Sequence, residues 1–112
     1  MTPYAQLEAR FAELHEIGHA QAMLYWDEAV MMPPGGGPAR GEALAALAAL
    51  IHRTLTAPEA GDLLDAADAG KDHLDDWQRA NLRAMRRMHI RAGAVPEALV
   101  HATQIATTRC QQ

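Results

Sequence analysis

The chain has 112 residues and a formal net charge of −4, enough for one hydrophobic core and too little for a core plus a separate catalytic lobe. Apolar residues make up 49% of it, Ala and Leu dominate and β-branched runs are few, which predicts an all-α protein of about five helices in a single domain spanning 1–112. The acidic balance excludes a nucleic-acid partner, because the only basic cluster, "RAMRRMHIR", lies late in a helix where it complements the helix dipole.

A first helix is expected over 3–32, with Thr2 as cap and Pro3 where its missing donor is harmless. Steps of about 100° place Leu7, Phe11, Leu14, Gly18, Ala22, Tyr25 and Ala29 on one stripe, read as the core face. Ile17, Leu24 and Met31 form a second apolar strip, so the later turns are expected to be covered from two directions, with Tyr25 and Trp26 as core aromatics. "PPGGGP" over 33–38 stops this helix.

A second helix over 39–55 carries Leu44, Leu47, Ala48, Ile51 and Leu55 along one side. Thr56 and Glu59 read as a capping box for a third helix over 57–69, which ends near Gly70. The fourth, 74–91, begins with acids, ends with bases and carries Leu74, Trp77, Leu82, Met85 and Met88. The fifth, 96–110, starts at Pro96 and shows no stop signal, as though the polypeptide were interrupted within a helix.

One cysteine, Cys110, leaves no internal disulfide and suits a reducing compartment, so a cytoplasmic location is expected. No stretch approaches the roughly 20 apolar residues a bilayer demands and the opening "MTPYAQLEARF" does not read as a signal peptide, so no membrane partner is expected. Asp27 is expected to fix the following loop or to pair with an arginine. His52, His73, His89 and His101 are dispersed and do not read as a shared metal site.

"HEIGH", His15 to His19, fits H-E-x-x-H. Histidines four apart share a helix face and both reach a zinc ion, while the intervening Glu activates the bound water. A catalytic zinc also needs a third protein ligand. The continuation H-E-x-x-H-x-x-G-x-x-H fails, since Ala22 and Tyr25 stand where Gly and His belong. The remaining candidate is Glu42 on the second helix, giving a metal set of His15, His19 and Glu42 with Glu16 as general base. Against it, five short helices offer little wall for a peptide groove.

The stretches "YWDEAVMMPPGG", "ARGEALAALAALIHRTLTAPEAGDLL", "LDDWQRANLRAMRR", "VPEALV" and "TTRC", with the opening "MTPYAQLEARFAEL", together resemble the carboxypeptidase Taq family of zinc metallocarboxypeptidases. Trp26-Asp27 followed by Met31-Met32-Pro33-Pro34 is the most specific piece. The resemblance implies the N-terminal helical part of a much longer, nearly all-helical enzyme, a part that walls and covers the substrate groove. It places the family's own HExxH and third glutamate ligand beyond this chain. By that implication the chain has no catalytic or metal residue and no cofactor of its own, and zinc and a peptide substrate belong to the full-length family. Helices that lean on a catalytic half expose apolar faces when alone, so a homo-oligomer formed through those faces is expected.

Overall fold

The computed structural model describes residues 1–30 and 33–111. They form five α-helices, α1 (Pro3–Val30), α2 (Gly37–Thr56), α3 (Pro58–Ala69), α4 (Asp76–Gly93) and α5 (Glu97–Gln111), with a 3₁₀ turn at Lys71–His73. The all-α expectation holds. Met31 and Met32, the expected last turn of the first helix, lie outside the described residues.

Local chemistry sets most helix ends. At α1, the Ala5 amide donates to the Thr2 hydroxyl at 3.1 Å, satisfying one of the free donors of the first turn. Between α1 and α2, Gly36 N donates to Pro33 O at 3.0 Å, and Gly35 takes φ +88°, a backbone that side-chain-bearing residues rarely adopt. Asp27 then spans this turn in an ion pair with Arg40. At α3 the expected Thr56 cap is not formed. The Thr56 hydroxyl instead donates back to His52 O at 2.8 Å as the last residue of α2, and α3 opens on Pro58 without a side-chain cap. A capping box does form at α4, where Asp75 accepts from Gln78 N at 2.8 Å and the Gln78 side chain accepts from Asp75 N at 3.0 Å.

Tyr4 and Leu7 of α1 are buried with Leu64 and Ala67 of α3 and Leu82 and Met85 of α4, and Phe11, Leu63 and Leu74 close over this cluster. Helices α3 and α4 run antiparallel, since Asp65 meets Arg86 at 3.0 Å and Gly61 lies against His89 one to two turns further along. α2 touches every other helix. Its small residues decide how close α5 comes: a Cβ on Gly41 would stand 2.8 Å from Thr108 Cγ2, and Ala45 and Ala49 are buried one and two turns on. Leu47, Ala48, Ile51 and Leu55 of the expected leucine face are only half-buried.

Two histidines tie α2 to α4. His52 Nε2 lies 2.8 Å from Ala92 O and 2.5 Å from Val95 O, and His89 Nδ1 lies 2.6 Å from Leu55 O. Carbonyls only accept, so each ring nitrogen is the donor, and each helix serves carbonyls at the C-terminal end of the other.

The result is elongated, 54 × 25 × 19 Å. Its radius of gyration is 16.5 Å, against about 13 Å for a compact domain of this length. The reason is α1, whose 28 residues extend about 42 Å, longer than any other helix of the fold. Its first half is the core helix the stripe predicted, with Leu7 and Leu14 buried, but Ala22, Tyr25 and Ala29 of the same stripe are exposed. The expected cover of the later turns from two directions is therefore not provided by the described residues, and Trp26 is 54% exposed rather than a core aromatic. Trp77 departs the same way, at 80% exposure.

Candidate functional site

His15, Glu16 and His19 sit mid-way along α1, and all three side chains are exposed. Leu14, one step away, is buried, so the helix turns its apolar face inward and presents HEIGH to solvent as a flank. The helical placement that H-E-x-x-H requires is present. The third donor is not brought to it. Glu42 lies in the first turns of α2 with its carboxylate 3.8 Å from His101 Nε2, directed at α5. Among the described residues, no three His, Cys, Asp or Glu side chains gather in a way that could hold a metal ion. A two-imidazole face without a third protein ligand does not fit a catalytic zinc, and no hydrolytic step is derived through it.

The remaining histidines are spoken for locally or stand apart: His52 and His89 in the α2–α4 tie, His101 beside Glu42, and His73 exposed in the 3₁₀ turn. Cys110 is exposed near the end of α5.

The structured polar feature lies elsewhere, where the second half of α1 meets α2 and α5. The Tyr25 hydroxyl donates to Gln104 Oε1 at 2.6 Å, the Gln104 amide donates to Thr108 Oγ1 at 3.4 Å, and Thr108 fills the notch left by Gly41. Gln104 and Thr108 are buried polar residues whose cost of leaving water is offset by these bonds. The Asp27–Arg40 pair flanks the node. Beside it, Met23, Trp26 and Val30 stand out from the end of α1 as large apolar side chains without cover among the described residues. Nothing in the sequence distinguished Gln104 or Thr108 from surface residues; the one legible hint was Gly41, a helix-interior glycine that marks a close approach.

What the fold and the site define is a helical assembly that carries one flank of a metallopeptidase-like motif but no complete metal centre among its described residues. Residues 6–112 match the family model for carboxypeptidase Taq (M32) metallopeptidase, and the chain belongs to that family. It is 32% identical over 103 residues to thermostable carboxypeptidase 1 of Pyrococcus furiosus, covering 92% of this chain, and 33% identical over 108 residues to thermostable carboxypeptidase 1 of Thermus thermophilus, covering 88%. In both cases the match spans 20% of the relative's length. No solved structure matches the chain. No helix among the described residues is long and apolar enough to cross a membrane.

Proposed function

We propose that this chain is a non-catalytic wall or cover of the peptide groove in a carboxypeptidase Taq-type zinc metallocarboxypeptidase, whose zinc ligands and general base are supplied by polypeptide outside these 112 residues. The observation that carries the reading is the half-covered α1. Its first half is sealed into a core, while Met23, Trp26 and Val30 form an apolar end that the described residues leave bare. An apolar end of this kind, on a chain matching a fifth of its relatives, is the surface on which a larger catalytic body rests. The outward-facing HEIGH and the engagement of Glu42 with His101 support the same reading. The setting is cytoplasmic, the substrate of the complete enzyme is a peptide trimmed from its carboxyl end, and in isolation the apolar end of α1 drives self-association.

The test is complementation. A family carboxypeptidase lacking the segment that corresponds to this chain is mixed with the chain in trans, and peptide cleavage is followed. Cleavage should depend on both parts, survive Glu16→Ala, and fall when Trp26→Ser disturbs the apolar end. Cleavage by the chain alone that disappears in Glu16→Ala would make it a small zinc peptidase in its own right and overturn the proposal.

A further inference from the structure

Where the C-terminal end of α3, the 3₁₀ turn and the first turns of α4 meet, the surface folds into a cleft of ≈ 140 Å³. Its lining is cationic: Lys71 from the turn and Arg79, Arg83 and Arg86 from α4, with the buried Leu82 and a single carboxylate, Asp68. On a chain of net charge −4 this is a local reversal of sign. Spacings of four and three residues bring the three arginines to one side of α4, along the edge of its core stripe, which is why Arg79 and Arg86 are half-buried. Arg87 and Arg91, further along the same helix, do not line the cleft.

Two of the four cations are held in place. The Arg79 guanidinium donates to Lys71 O at 3.2 Å and to Leu74 O, and pairs with Asp76 at 2.6 Å. Arg86 pairs with Asp65 at 3.0 Å. Neither guanidinium exhausts its donors in these contacts, and neither Asp65 nor Asp76 lines the cleft. Lys71 and Arg83 are exposed and have no ion pair among the described residues. Anchored guanidinium donors beside unpaired cations, in one concavity, are the elements of an anion site.

We infer that this cleft binds a small oxyanion of phosphate chemistry, either inorganic phosphate or the phosphoryl group of a small monoester, with the arginines donating to its oxygens and Lys71 supplying a mobile charge. Size agrees, since a cavity of about 150 Å³ accepts a molecule as large as benzene. Charge sets the upper limit on the ligand. Glu59, Asp62, Asp65 and Asp68 are exposed along α3, which carries no base in its last turn, so a nucleic acid or an anionic membrane reaching for α4 would meet acid next to it. A small anion within the cleft meets only Asp68.

The test is a titration of the ¹⁵N-labelled chain with inorganic phosphate, following the arginine Nε–H signals by NMR at constant ionic strength and about pH 7.5, where phosphate is mainly a dianion. The signals of Arg79, Arg83 and Arg86 should shift saturably, with half-saturation at about 1 mM, as for a shallow hydrated site. Glycerol phosphate distinguishes the sources: tighter binding than inorganic phosphate assigns the site to a phosphomonoester, and weaker binding to the free ion. Arg83→Gln should weaken phosphate binding about tenfold, whereas Arg91→Gln, outside the cleft, should leave it unchanged. Asp68→Asn should tighten it about two- to fivefold by removing the opposing charge. All three positions are exposed, and circular dichroism verifies that each variant is folded. Shifts that grow linearly and are matched by chloride overturn the inference, because they report screening alone. Equal losses in Arg83→Gln and Arg91→Gln also overturn it, since the helix would then attract anions only by its overall charge, and so does binding to anionic vesicles that is lost in Arg83→Gln.

Discussion

The two halves of α1 belong to one uninterrupted helix and carry the same apolar stripe, yet Leu7 and Leu14 are buried while Ala22, Tyr25 and Ala29 are exposed. The difference lies in what faces them. Leu7 meets Leu64 and Leu82 from two other helices, whereas the turns around Tyr25 meet α2 and α5 through polar side chains, Tyr25 with Gln104 and Asp27 with Arg40. Periodicity declares which side of a helix is meant to be covered, and it is silent on whether the cover lies in the same chain.

The sharpest way to press this comparison is to change one residue packed against the first half of α1 and others in or beside the second. Leu64→Ala, beneath Leu7, should lose about 2–5 kcal/mol of stability in urea denaturation, from lost burial and the cavity left behind. Gly41→Ala tests the seam between the closed and open regions. The added methyl meets the stiff Thr108 side chain, so α2 and α5 must part. A loss of about 1–3 kcal/mol is expected after the gain in helix propensity is counted, and Thr108→Ser, which removes the obstructing methyl and keeps the hydroxyl, should recover most of it. Tyr25→Phe, in the open half, should lose about 1 kcal/mol by leaving Gln104 Oε1 without its donor. At the small end, Trp26→Ser should change the melting of the chain by no more than about 0.5 kcal/mol, as for an exposed residue, while reducing self-association. A large thermal penalty there would mean that the chain buries its own α1 end and would erase the contrast.

Much of the fold could be read from residues whose effect is local. Thr2-Pro3, the Pro/Gly run at 33–38 and Gly70 set helix ends within a few residues, because caps, missing donors and permissive backbone act within one turn. The cap at α3 was misread because a threonine hydroxyl has two local options, forward to the next helix or back to its own, and Thr56 takes the second. The Asp75–Gln78 box is local too, a D-x-x-Q spacing at the start of α4. The partners of the His52–His89 tie and of Tyr25 in the Gln104–Thr108 node were not legible, Gly41 apart, since those contacts span 34 to 79 residues and depend on helix packing. For HEIGH, the sequence supplied the spacing of two donors on one face. The direction of Glu42, which decides whether that spacing matters, depends on how α2 is rotated against α5.

HEIGH lacks a third ligand among the described residues, and titration of chelator-stripped protein with zinc, followed calorimetrically, tests this most directly. Weak binding by two imidazoles at most is expected, lost in His15→Ala and unchanged in Glu42→Gln. Tight binding of one zinc per chain that requires His15, His19 and Glu42 together would contradict it.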